Sequence, residues 1–295
     1  MKKFLCAFML TTFMFTCALQ ARGTLQGIPQ TTCKIGKTST LLKYNHGTVI
    51  AIPRVTSVLW NYLANPDDPN DIPTMLEKFL PDLLTSDWCA GFSEYRTNHE
   101  AGVNTNQPIR KGFFVGQKTI FPQSGNTTVT DDEIQQTLIA NIQNGSLPAP
   151  HKGNLGNNQS VYLISFPPGY TVDATSIGNG MSCSSFCGYH NSVLEPNSGI
   201  TVAYAVLPRC DLNSCGFVDS DIVKSFEVVV SHELAEIITD PIVPEGWDND
   251  PIVEVADICE NESAGQITVG NNTWSVAKLW SNRKRGCVDQ LPGFK

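Results

Sequence analysis

The chain has 295 residues, 41% of them hydrophobic and 16% charged. That is long enough for a sizeable buried core and too apolar for a disordered or fibrous protein. With 20 Lys+Arg against 28 Asp+Glu, a formal net charge of −8, and no basic block, the composition excludes a nucleic-acid binder and offers no patch for an anionic membrane.

The first residues read MKKFLCAFMLTTFMFTCALQA. Lys2 and Lys3 form a positive start, residues 4–19 an apolar stretch, and Ala21 a small-residue exit, the pattern of a secretory signal peptide over residues 1–21. As a transmembrane anchor the apolar stretch is short, since a span needs ~20 residues. The expected location is extracellular, or periplasmic in a Gram-negative host, with no membrane association after cleavage. Cleavage would leave Cys33, Cys89, Cys183, Cys187, Cys210, Cys215, Cys259 and Cys287. An even set in an exported chain reads as disulfides, with Cys210–Cys215 and Cys259–Cys287 as expected local pairings. The competing use is a thiolate zinc site built from Cys183, Cys187, Cys210 and Cys215.

Residues 22–40 read as a loose polar lead and 41–295 as one globular domain. Residues 48–60 (TVIAIPRVTSVLW) are rich in β-branched side chains and broken by Pro53, which predicts two short strands. A turn cluster at 65–73 precedes helical spacing of Met75, Phe79, Leu80 and Leu83 over 74–84. Residues 113–121 alternate as a strand. Thr130-Asp131-Asp132-Glu133 opens a helix over 134–144, whose Ile134, Leu138 and Ile142 share a face and which stops at Asn144-Gly145. The apolar runs 160–166 and 201–207 predict buried strands, and the Gly/Ser/Cys-rich stretch between them, His190 included, reads as loop. Asp219 is the expected N-cap of a helix from Ser220 to about Ile238. Asp240-Pro241 ends it, because the residue before proline resists the helical region. Together these elements predict a mixed α/β (α+β) domain with long loops.

The last helix carries the chemistry. In Ser231-His232-Glu233-Leu234-Ala235-Glu236, His232 and Glu236 are i and i+4 on one face, so an imidazole nitrogen and a carboxylate oxygen can hold one metal. Glu233 is placed like the glutamate of H-E-x-x-H, which takes a proton from metal-bound water. Zinc accepts a carboxylate at the second position, although the added charge weakens its Lewis acidity. A third protein ligand is needed. The segments after the helix, Trp247-Asp248 and residues 254–260, supply Asp257 as first candidate and Glu254 as second, with Asp240 and His190 behind them. An acidic third ligand would make the site hard and oxygen-rich, which opens Ca2+ or Mn2+ beside Zn2+. The competing reading is an ordinary helix with solvated acids, against which stands the strongly apolar run FEVVVSHELAEII around the three polar residues. His190 reads as a ligand, a proton donor to a substrate oxyanion, or a hydrogen-bonded loop histidine; His46, His99 and His151 read as structural or exposed.

Several segments carry a resemblance: residues 44–50 (YNHGTVI), 92–95 (FSEY), 186–190 (FCGYH), 204–208 (YAVLP), 231–241 (SHELAEIITDP), and Trp247 with 254–259 (EVADIC). In that order the chain resembles the bacterial relatives of the plant exordium-like, phosphate-induced proteins over residues 44–288. This resemblance implies an extracellular protein; the plant relatives are associated with growth and have no settled enzymatic activity. The helix motif is also similar to that of zincin metallopeptidases, from which it departs at Glu236. That likeness implies a single zincin-like domain with a metal-site helix and disulfide-tied loops, acting as a secreted, zinc-dependent hydrolase on a peptide or protein substrate. His232, Glu236, Asp257 and Glu254 are then the metal ligands, Glu233 the general base and His190 an electrophilic helper. The alternative is a non-catalytic secreted protein, with a structural metal or hydrogen-bond cluster at the same helix, that binds a glycan or cell-surface partner. A calcium-stabilised module would need six or more oxygens around the ion.

Overall fold

The computed structural model describes residues 41–294, apart from 66, 69, 99, 101–105, 123–124, 155, 212–220 and 250–252. The expected signal segment, the lead 22–40, Cys33, His99, Cys215 and Asp219 lie outside the described residues.

In chain order, β1 (Lys43–Tyr44) and β2 (Arg54–Trp60) precede α1 (Ile72–Thr85) and α2 (Asp87–Gly91). Then come β3 (Phe113–Ile120), β4 (Thr128–Thr130) and α3 (Asp131–Gln143). They are followed by β5 (Ser160–Phe166), β6 (Thr171–Ala174), β7 (Gly180–Met181), β8 (Tyr189–Glu195) and β9 (Ile200–Pro208). The long helix α4 (Ile222–Thr239) leads to β10 (Trp247–Asp248) and a 3₁₀ turn, Asp257–Cys259. Two hairpins complete the chain, β11 (Gly265–Val269) with β12 (Asn272–Val276), and β13 (Leu279–Ser281) with β14 (Gly286–Val288). This mixture of helices and several sheets is the expected α+β class.

The central sheet has the order β3-β2-β5-β9-β8. Its first four strands run parallel, and β8 closes the edge antiparallel to β9. Strand pleating sends alternate side chains to opposite faces, so each buried strand feeds two cores. Val55 and Leu59, Val161 and Leu163, and Ala203, Ala205 and Leu207 join α1 and α4 on one face. Val58 and Trp60, Tyr162, Ile164 and Phe166, and Val202, Tyr204 and Val206 pack with α3 on the other. Parallel strands covered on both sides read as continuous apolar runs, which is why 160–166 and 201–207 were recognisable without an alternating pattern.

The helices start where short polar side chains take up their first backbone donors. Asp71 accepts from Thr74 N at 3.0 Å and Thr130 from Glu133 N at 3.2 Å. For α4 the cap is Asp221, which accepts from Val223 N at 2.9 Å, two residues beyond the expected Asp219. Only the second of the two strands expected over 48–60 forms. The donors of the preceding residues are taken up elsewhere: Val49 N by Gln107 Oε1 at 3.1 Å, Ile50 N by Ile238 O at 3.0 Å, and Ile52 N by Gln159 Oε1 at 2.6 Å. Nor does His190 sit in a loop. It is the second residue of β8, opposite Ala205.

Cys259–Cys287 is bridged, whereas Cys210 pairs with Cys183 and not with Cys215. The end of β9 and the loop before β8 bring the Cα atoms of Cys183 and Cys210 to 5.2 Å, a proximity that sequence distance conceals. Cys187 is disulfide-bonded as well, so the thiolate zinc site is excluded. Cys89 departs from the all-disulfide expectation: it is free and buried, and burial pushes its thiol up to about 12. These bridges match an oxidising compartment. Among the described residues no helix is long and apolar enough to cross a membrane.

Gly188, just before β8, sets how closely α4 approaches that strand. A β-carbon there would lie 2.7 Å from Glu233 Oε1 and 2.8 Å from Val229 Cγ1, both on α4. Gly188→Ala is expected to lower the unfolding free energy by about 1–3 kcal/mol in urea titration, the usual cost of overpacking. Gly286→Ala, where a β-carbon meets nothing within 4 Å, is the control.

Candidate metal centre

The middle of α4 is buried by its own sequence. Val229, Val230, Leu234, Ala235, Ile237 and Ile238 belong to the core around it, which leaves His232, Glu233 and Glu236 in the same low-dielectric surroundings. Their accessibilities are 1%, 0% and 0%. Two polar anchors hold the helix in register beneath β12: Glu227 Oε2 accepts from Ser275 N at 2.8 Å, and Ser231 Oγ accepts from Ala277 N at 2.9 Å.

Three other segments close around this stretch. The edge strand β8 contributes His190, which has no exposure. The end of α4 contributes Asp240, whose Oδ1 accepts from Gly246 N at 2.7 Å and whose Oδ2 is buried without a hydrogen bond. The segment after β10 contributes Glu254 and Asp257. It is held by Trp280 N donating to Val255 O at 2.7 Å, by Glu254 N donating to Asp257 Oδ2 at 3.3 Å, and by the Cys259–Cys287 bridge at the end of its 3₁₀ turn.

His232 Nε2 lies 3.1 Å from Glu236 Oε1 and 3.4 Å from Asp257 Oδ1. His190 Nδ1 lies 3.5 Å from Glu233 Oε2 and from Glu236 Oε2, and its Nε2 lies 3.5 Å from Glu254 Oε1. The side chains of all these groups are buried except that of Asp257, which keeps 18% of its area accessible. Both nitrogens of His190, Nε2 of His232 and both oxygens of Glu233, Glu236 and Glu254 lack a hydrogen-bond partner. So many orphaned polar atoms converging on one point are costly unless something binds them, because each has given up water without replacement. Among the described residues, two groups could hold a metal ion: His232 with Glu236 and Asp257, and His190 with Glu236 and Glu254.

The structure thus brings together every candidate ligand and catalytic residue read from the sequence: His190, His232, Glu233, Glu236, Glu254 and Asp257, with Asp240 alongside. Asp248 stays outside, accepting from Asn45 Nδ2 at 2.6 Å. Sequence reading missed Gly188, for which only the close approach of α4 gives a reason. His46 stacks edge-on against Tyr44 at 5.3 Å, and His151 lines a separate cleft with Arg54 and Arg110.

Electrostatics in the cluster follow from burial and crowding. Burial raises the carboxyls of Glu233 and Asp240 to about 7, and holds those of Glu254 and Asp257 above the usual range as well. Glu236 is the exception: burial would raise it, but His232 and His190 outweigh that and bring it to about 2. Burial alone would lower both imidazoles. The charges of Glu254 around His190, and of Glu236 around His232, reverse the effect and hold both well above the usual value. Compared with protein-family models, curated proteins and solved structures, the chain matches none.

These shifts give the metal-free protein a definite pH dependence. Acids and imidazoles with raised pKa hold more protons folded than unfolded, so stability is fully present below their unfolded values and is lost as pH rises through the folded ones. Metal-free protein is expected to melt progressively lower from about pH 5 to pH 8, and saturating zinc to remove that slope, because deprotonated ligands bind metal. Melting temperatures measured in both forms across this range check it; a metal-free protein that gains stability over the interval contradicts it.

Proposed function

We propose that the chain is an exported, metal-dependent hydrolase of the peptidase type, with His232, Glu236 and Asp257 as ligands of a zinc ion. One observation carries this reading. His232 Nε2 stands 3.1 Å from Glu236 Oε1 and 3.4 Å from Asp257 Oδ1, close to the edges of roughly 3.3–3.6 Å that a tetrahedron with zinc bonds of 2.0–2.2 Å would have. Two imidazoles in the cluster favour zinc or manganese over calcium, which takes oxygen ligands. The accessible side of Asp257 is where water and substrate would arrive.

A bound divalent ion would supply Lewis-acid polarisation of a carbonyl and a water of lowered pKa. The protein's own groups do the rest. Glu233, held at about 7 by burial, matches the pKa a general base needs at neutral pH. As the water oxygen bonds to the carbonyl carbon, its proton passes to Glu233 and then to the departing amine nitrogen as the C–N bond breaks. His190, which faces Glu233 at 3.5 Å, would stand as the donor to the developing oxyanion. The disulfides agree with an oxidising compartment, and the resemblance to secreted exordium-like proteins supports the same location.

One observation favours a second reading, a secreted binding protein with a structural ion at this place: His190, Glu233, Glu236 and Glu254 have no accessible surface. A single experiment separates the two. The zinc-loaded, oxidised mature protein is incubated with a complex peptide mixture and the new termini are read by mass spectrometry. The hydrolase reading predicts a defined cleavage pattern that falls by about 10²-fold or more in Glu233→Gln while metal content is retained. Identical peptide maps for the wild type and the variant would leave the binding protein.

A further inference from the structure

We infer that the cluster is a two-cation centre, with the Glu236 carboxylate bridging one ion at His232 and Asp257 and a second at His190 and Glu254. This deepens the metal-centre reading and rests on it, with His190 a ligand of the second ion in place of the oxyanion donor.

The geometry of Glu236 makes the case. It belongs to both candidate ligand groups, and its two oxygens diverge: Oε1 faces His232 Nε2 at 3.1 Å and Oε2 faces His190 Nδ1 at 3.5 Å. Neither oxygen accepts a hydrogen bond. A carboxylate presenting one free oxygen to each of two ligand sets can span ions ≈ 3.5–4 Å apart, the spacing of two-metal hydrolytic sites.

The second set stands on its own observation. His190 comes from a different element, the edge strand β8, and is fully buried with both ring nitrogens unbonded. Glu254 has no exposure and no hydrogen bond at either carboxylate oxygen; its Oε1 lies 3.5 Å from His190 Nε2 while Glu236 faces Nδ1, so an ion shared by the three would be held through one of the two ring nitrogens. One ligand atom from each of His190, Glu236 and Glu254 lies within 4.8 Å of the other two. Glu233 Oε2, 3.5 Å from His190 Nδ1, is within reach of the same place.

The charge of the cluster accommodates two dications. Glu233, Glu236, Glu254 and Asp257 form a knot of carboxylates whose ion pairs among the described residues are with His190 and His232 alone. Neither Lys–acid pair given by the structure, Lys111–Asp87 or Lys278–Glu262, touches it. One divalent ion would balance two of the four carboxylates and leave the other two to protons on the acids and imidazoles. Two would neutralise it with both imidazoles uncharged, the state in which imidazole ligates metal.

The test is metal stoichiometry. Mature oxidised protein is stripped with chelator, equilibrated by dialysis against zinc and, separately, manganese, and analysed for metal per chain. The inference predicts about two ions per chain, and for manganese an exchange-coupled electron paramagnetic resonance spectrum, as expected of ions ~4 Å apart. Glu254→Gln and His190→Gln are each expected to reduce the content to about one, and the coupled manganese spectrum to that of an isolated ion. One ion per wild-type chain would overturn the pair and leave the single-metal reading standing; no ion would overturn both. The wild-type stoichiometry decides whether or not the variants fold.

Discussion

Two imidazoles and four carboxylates meet in the interior of this protein with almost none of their ligating atoms hydrogen-bonded. Removing a carboxylate from water costs several kcal/mol unless a partner replaces the lost solvation, and domains of this size have only about 5–15 kcal/mol of net stability. Everything around α4 must therefore serve an arrangement that is unfavourable when empty. A bound cation would supply the missing partner; without one, burial raises the carboxyls of Glu233 and Glu254, the neighbouring carboxylates raise His190 and His232, and protons are shared among them.

The scaffold tolerates this because it is otherwise apolar and tightly tied. The alternating faces of β2, β5 and β9 fill two cores, and α4 lies on one of them with its polar stretch turned toward the edge strand. Gly188 allows the helix and β8 to approach closely enough for His190 to face Glu233 and Glu236. On the other side, the Cys259–Cys287 bridge and the Trp280–Val255 hydrogen bond fix the turn that presents Asp257. The proposed ligands therefore come from a helix, a strand and a braced turn, the rigid support that a site needs to hold its geometry.

Much of this was legible in the sequence where a local rule governs. The i, i+4 spacing of His232 and Glu236, the apolar run around them, the Thr130 N-cap and the buried strands 160–166 and 201–207 each follow from periodicity or capping, and each stands in the structure. Reading failed where tertiary pairing decides. Residues 189–195 (YHNSVLE) lack a clear alternation, so their sequence suggests a loop, and they become a strand because β9 offers an edge. Residues 48–53 have strand-like side chains, yet their donors are claimed by Gln107, Gln159 and the last turns of α4. The Cys183–Cys210 bridge spans 27 residues that the fold brings together. Glu254 and Asp257 were found by their nearness to the motif, but three residues apart in a turn they point to different histidines, a division that spacing alone could not reveal.

The central claim is that a cation completes this cluster. It is tested most directly by an anomalous-difference map, recorded at the zinc absorption edge from crystals of zinc-replete mature protein. The account predicts a strong peak within about 2.2 Å of His232 Nε2, Glu236 Oε1 and Asp257 Oδ1. Ordered waters or direct carboxyl–carboxylate hydrogen bonds in that position, with no anomalous signal, would contradict it.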